Sequence, residues 1–199
     1  QNKLNLEDQL FKYGVRINTD LIQDMRATEI PIVTGYTGNM PQQEFFKWPY
    51  YPLLFSTSNH PISKDLDAIK CDFVSSIDTI KNNIKKTILL HSSSNSRVMP
   101  CPAKVSLSIL KTPALAEDYN KSNIPIAVLL EGNFESVFKN RLSPIKKLKI
   151  KPQSQKNKMI VISDGDIIAN KVTQKGNIFP LGYILRRSSP FINFTFISG

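Results

Sequence analysis

Apolar and polar positions along this chain follow two periods, one helical and one extended. Leu4, Leu6, Leu10 and Phe11 recur at the spacing of one helical face. Glu7 and Asp8 stand where a helix N-terminus favours carboxylates, and Gly14 follows as a stop signal, so the spacing predicts a helix over residues 4–13. Val15–Ile17, Leu21–Asp24 and Ile30–Val33 then read as short β-type runs separated by polar turns. Gly35–Pro41 is rich in turn residues, and Glu44–Trp48 predicts a strand that Pro49 ends. Ser58–Leu66 sets side-chain hydrogen-bonding groups around Pro61, the chemistry of an ordered Asx-type turn. Phe73–Ile77 and Thr87–His91 are strand candidates, the second running into the polar loop Ser92–Arg97. Val105, Leu107 and Ile109 alternate with Ser106 and Ser108, which predicts another strand before Pro113; residues 112–123 read as a loop or short helix.

Two segments are apolar without alternation. Ile124–Glu131, bounded by Asn123 and Gly132, predicts a central strand buried on both faces, and Lys158–Ser163 repeats the pattern before Asp164-Gly165-Asp166. Ser136–Leu142 reads as a short helix between them. A helix followed by strands, with strands of this buried kind, predicts a mixed α/β fold whose sheet is largely parallel and flanked by helices. The longest uninterrupted apolar run, Ile126–Leu130, falls far short of the roughly 20 residues that cross a bilayer. No internal repeat is visible.

Composition narrows the class. With 199 residues, 41% of them apolar and 21% charged, the chain has the make-up of a globular protein, and its length predicts one domain over residues 1–199. Its start at Gln1, without Met or a signal-like segment, reads as that of a fragment. The net charge of +10 is local: Lys139–Lys158 holds eight basic residues and no acidic one, which leaves +2 elsewhere. Within that run Lys147, Lys149 and Lys151 alternate with Leu148 and Ile150, as on a strand whose lysines face water. Nothing aromatic interleaves it as a stacking platform requires, so nucleic acid is not expected as a partner. A polyanion or lipid headgroup is the minor reading of the run.

Few constellations could carry chemistry. Cys71 and Cys101 form no CxxC pair, and His60 and His91 have no metal-ligand spacing, so no metal is expected. GxxxxGK[ST] and GxGxxG motifs are absent, which excludes a P-loop and a dinucleotide fingerprint. His91 beside Ser92, Ser93 and Ser94 lacks a nucleophile elbow. The strongest local candidate is the strand end at Ser163, Asp164 and Asp166, where polar groups could hold a small ligand or a cation, or else cap the turn that follows. Asn59, His60 and Arg97, in polar turns and loops, complete the ligand-binding candidates; no catalytic residue and no cofactor are expected. Trp48, Tyr50, Tyr51 and Phe55 crowd around Pro49 and Pro52 as core or as an exposed anchor.

Several of these stretches together resemble one family. They are residues 4–18, KWPYYPLL (47–54), SNHPISKDLDAIK (58–70), SSIDTI (75–80), SRVMPCPAKVSL (96–107), IPIAVLLEGNFESVFKNRL (124–142) and KMIVISDGDIIAN (158–170). In this order they resemble the GldG-type auxiliary, or substrate-binding-like, component of the gliding-motility ABC transporter of Bacteroidota. The resemblance covers residues 4 to about 183. It implies a non-enzymatic binding component on the periplasmic side of the inner membrane, anchored by a segment outside this stretch. ABC permease and ATPase subunits would be its partners, in keeping with the missing P-loop. It further implies a glutamine-amidotransferase-like or flavodoxin-like layout without catalytic residues, present here as a partial domain. The alternative is an enzyme-derived α/β domain binding a small ligand or cation at Ser163–Asp166.

Overall fold

Gly14 stops the first helix as its sequence position suggests. The helix α1 (Glu7–Tyr13) ends on Gly14 at φ 92°, whose N–H donates to the Phe11 carbonyl at 3.0 Å, a left-handed cap that glycine adopts without strain. The computed structural model describes residues 5–56, 58–139, 151–172 and 176–179. Within them the chain continues as β1 (Val15–Ile17), β2 (Asp20–Asp24), β3 (Ala27–Thr37), β4 (Met40–Leu54), β5 (Ile69–Lys70), β6 (Ile77–Thr79), β7 (Lys85–His91), β8 (Ser96–Pro100), β9 (Pro125–Glu135), β10 (Gln153–Ile162), β11 (Lys171–Val172) and β12 (Ile178–Phe179).

Every strand pairing among the described residues is antiparallel. The expected α/β fold, with a largely parallel sheet, flanking helices and a flavodoxin-like or glutamine-amidotransferase-like layout, is therefore incorrect; the chain is β-rich and built from small sheets. The physical reason lies in the connections. Parallel neighbours need a crossover of a dozen or more residues, usually a helix, to return the chain to the same end of the sheet. Among the described residues the helical material is the seven-residue α1 and three single-turn 3₁₀ segments at Leu107–Leu110, Ala116–Asp118 and Asp166–Ile168.

The expectation of a central strand holds. β9 lies between β7 and β10 in a three-stranded sheet, and Ile126–Leu130 are all buried. Both faces are covered by other elements of the fold, which is why the run is apolar without alternation. Val128 and Leu130 join a cluster with Tyr13, Val15, Ile77, Ile84, Phe134 and Val161. Ala127 and Leu129 join the other, with Ile22, Leu54, Val74, Leu89 and Leu90. β10 differs from its reading: it is an edge strand, only Val161 of it is buried, and Ile160 is exposed. On the sheet surface Glu131 of β9 faces Lys85 of β7 and Lys158 of β10, its directly opposite residues, at 3.4 and 2.9 Å.

Three further local expectations are corrected. Pro49 does not end a strand, because β4 runs on to Leu54. Between the pairs Ala27↔Pro52 and Glu29↔Lys47 the ladder shifts register, and Pro49 sits in that bulge, where its missing N–H costs no ladder bond. Val105–Ile109 forms no strand; Ser106 caps the 3₁₀ turn instead, its hydroxyl accepting the Ser108 N–H at 3.2 Å. Phe73–Ile77 is strand only at its last residue, since Phe73 stands at φ 56° and the Val74 carbonyl accepts from Ile22 N at 2.9 Å.

β3 and β4 meet at the two-residue turn Gly38-Asn39, within the stretch read as turn-rich. From about Ile30 and Phe46 outward they pair, among the described residues, only with each other, as a two-stranded ribbon. Leu4, the outer part of Ser136–Leu142, the alternation at Lys147–Lys149 and the end of the resemblance near 183 lie outside the described residues.

Candidate functional site

At the end of β10 the three sequence candidates are held by the fold itself. The Ser163 hydroxyl donates to the Ser75 carbonyl at 2.5 Å. Asp164 is buried; its Oδ1 accepts the Asp166 N–H at 2.8 Å and its Oδ2 accepts the Asp72 N–H at 3.1 Å. Asp164 thus ties down its own turn and a loop 92 residues away. Beside it burial pushes the Cys71 thiol well above its ordinary pKa, and the neighbouring carboxylate of Asp164 adds to that shift. Asp166 opens the 3₁₀ turn without capping it through its side chain. Among the described residues no three His, Cys, Asp or Glu side chains converge as a cation site.

Asn59 and His60 stay within their turn. His60 Nδ1 accepts the Ile62 N–H at 3.2 Å, Ser58 Oγ accepts the His60 N–H at 3.0 Å, and Asn59 is exposed. Among the described residues neither hydrogen-bonds to Ser163, Asp164 or Asp166. Trp48 and Tyr50 are buried while Tyr51 and Phe55 are half-buried, so the aromatic cluster is mainly core.

The serines after β7 surround a carboxylate. Asp24 is fully buried; its Oδ1 accepts from Arg26 N at 2.8 Å and Ser93 Oγ at 2.5 Å, and its Oδ2 accepts from Ser93 N at 2.7 Å and Ser96 Oγ at 3.0 Å. His91, also buried, has Nδ1 2.6 Å from the Ser92 carbonyl. Those hydroxyls donate to Asp24 rather than to an imidazole base, which makes the group a structural clasp joining β2, β7 and β8.

The remaining candidate, Arg97, sits in a different setting. It lies directly opposite Gln23 in the β2–β8 pair, and its Nε donates to Gln23 Oε1 at 2.5 Å. Its guanidinium lies 5.2 Å above the centroid of the Tyr119 ring, with Asp118 Oδ2 3.8 Å from Nη1. Arg97 and Gln23 line an open cavity of about 300 Å³ together with Tyr50, Met99, Lys104 and the loop residues Ser106, Ser108, Ile109 and Thr112. Gln23 has no exposed surface, and its Nε2 has no hydrogen-bond partner among the described residues. Because Arg97 supplies an N–H to one side of the amide, that side must be the oxygen, and the orphan is the NH₂ donor.

Sequence reading found Arg97 but missed Gln23, Lys104 and Ser106. Gln23 stood inside a run read only as strand. For Ser106 a signal existed: serine two residues before another serine is a turn-capping pattern as well as half of a strand alternation.

Residues 1–199 match the model of the family described as ABC-type uncharacterized transport system. No curated protein and no solved structure matches the chain.

Proposed function

We propose that this chain, which belongs to the family of ABC-type uncharacterized transport systems and is an auxiliary component of such a system, works by binding a partner protein and not by catalysis. The finer reading is that of a GldG-type subunit in gliding motility, standing on the periplasmic side of the inner membrane, anchored by a segment outside this stretch, and binding the ABC permease and ATPase subunits of the same transporter. The resemblance of residues 47–54, 58–70 and 124–142 to that component supports it. No helix among the described residues is long and apolar enough to cross a membrane.

The observation that carries the binding reading is the β3–β4 ribbon. Val33, Tyr36, Met40 and Phe45 on it are 47%, 71%, 76% and 57% exposed. A two-stranded ribbon is marginal in water by itself, so large apolar side chains along it gain most when a second surface covers them. Aromatic and methionine side chains are also the types enriched at protein interfaces. Among the described residues the outer part of the ribbon pairs with no third strand.

The alternative at Ser163–Asp166 has less support, because the Asp164 oxygens already accept from two backbone N–H groups. The polyanion reading rests on a run of which half the basic residues lie outside the described residues, and within them Lys139 pairs with Glu135 and Lys158 with Glu131. The test is co-purification of the whole transporter with tagged full-length protein. Changing Tyr36, Met40 and Phe45 together to Ser is expected to leave the circular dichroism spectrum unchanged and to deplete the recovered permease; undiminished recovery would refute the ribbon as docking arm.

A further inference from the structure

We infer that the cavity between β2, β8 and residues 104–112 binds a small organic anion, one with a carboxylate or phosphate head on an apolar body. The inference is independent of the docking ribbon, which lies on other residues.

The first ground is the orphan donor. Gln23 is fully buried, lines the cavity, and presents an NH₂ group with no partner among the described residues. Buried polar groups are nearly always paired, and leaving one unpaired has a cost that an acceptor atom of a ligand removes. The Arg97 Nε–H fixes the amide's orientation, so the unpaired group can only donate. It therefore asks for an acceptor oxygen and rejects a cation.

The second ground is charge. Two basic side chains, Arg97 and Lys104, line the same cavity, and among the described residues no acidic one does. Asp118 touches Arg97 from outside the lining, at 3.8 Å from Nη1, and is half exposed, so it offsets only part of that charge. Arg97 is held in place by three contacts, the Gln23 amide, the Tyr119 ring and Asp118, and is only about one-fifth exposed. A guanidinium fixed beforehand loses little freedom on meeting an oxyanion.

The third ground is the remaining lining. Ser108 Oγ donates to Ser106 Oγ at 3.0 Å, which leaves the Ser106 hydroxyl hydrogen as a further donor beside the cations. Tyr50, Met99 and Ile109 give the cavity apolar wall, and about 300 Å³ suits a small molecule. Donors and apolar carbon in one lining describe an anion with a hydrophobic body.

The test uses isothermal titration calorimetry on the folded protein with three probes: inorganic phosphate, benzoate, and benzamide as the uncharged counterpart of benzoate. Saturable binding of benzoate or phosphate with Kd near 1 mM or tighter, and none of benzamide, is the expected result. Comparison of the two anions weighs the apolar wall, since benzoate carries the body that inorganic phosphate lacks. Gln23→Leu is expected to weaken the preferred anion about tenfold, as loss of a hydrogen bond to a charged group does. The same variant also removes the acceptor of the Arg97 Nε–H, so it is expected to lower the melting temperature by a few degrees while still unfolding cooperatively. Lys104→Gln, an exposed change that cannot unfold the chain, should weaken binding a few-fold and flatten its salt dependence. Lack of saturable binding by both anions, equal binding of benzamide, or unchanged affinity in both variants overturns the inference.

Discussion

Replacing Asp24 by alanine removes the carboxylate around which β2, the loop after β7 and the start of β8 are assembled. Four donors lose their acceptor, namely the N–H groups of Arg26 and Ser93 and the hydroxyls of Ser93 and Ser96. They do not lose equally. Ser96 Oγ can still donate to Ser92 Oγ at 2.8 Å or to the Ser93 carbonyl at 3.1 Å, and the exposed Arg26 can turn its N–H to water. The Ser93 N–H is buried and fixed by the backbone, so it is left orphaned at about 1–3 kcal/mol. Adding the charge-assisted bonds lost, and subtracting the burial cost of the carboxylate that also disappears, gives a destabilisation of about 3–5 kcal/mol. That is a large share of the ~5–15 kcal/mol that holds a typical domain folded. Asp24→Asn keeps the volume but turns an NH₂ group toward one of the donors, and should cost about 1–3 kcal/mol. Urea unfolding followed by fluorescence of the buried Trp48 reads both variants, with the midpoint falling and the m-value unchanged. An alanine variant within about 1 kcal/mol of the parent would refute the clasp. So would an asparagine variant as unstable as alanine, since then volume and not hydrogen bonding would be the deciding property.

Gly14→Ala should lower stability by about 1–2 kcal/mol in the same urea assay, because a side chain at φ 92° is strained and its Cβ would press on the Lys86 side chain. A thiol titration with Ellman's reagent on folded protein should find Cys101 reactive and Cys71 silent until denaturant is added, since Cys101 is exposed while Cys71 is buried with its pKa raised. The Lys158 ammonium, aided by Lys85, holds the Glu131 carboxyl below its ordinary range. A carboxyl whose pKa is depressed by folding contributes stability above its unfolded pKa of about 4.3 and loses it as pH falls through the folded value. Glu131→Gln is therefore expected to flatten the fall in melting temperature between roughly pH 5 and pH 3, and an unaltered slope would exclude the cross-strand trio as its source.

Local chemistry was legible in this sequence wherever a few adjacent residues sufficed. Gly14 ended a helix because a left-handed cap needs no Cβ, and the unbroken run Ile126–Leu130 announced a strand covered on both faces. The same run could not say what covers it. Apolar side chains record burial but not the direction of the neighbouring strand, so a centre flanked by antiparallel β7 and β10 was read as part of a parallel sheet. The proline in β4 misled for a similar reason: whether a missing N–H matters depends on a bulge set by the partner strand, not on the residue itself. At the candidate sites the tertiary fold decided roles outright. Asp164 reads as a small-ligand or cation candidate or as the tie of its own turn; one oxygen does accept the Asp166 N–H there, but the other accepts the Asp72 N–H, 92 residues away in sequence. Gln23 carries no motif at all; only the register that sets it opposite Arg97 and buries its NH₂ group makes it a candidate for binding. Composition and periodicity fix which side chains leave water, while the orientation of a buried hydrogen-bonding group depends on partners that only long-range pairing brings together.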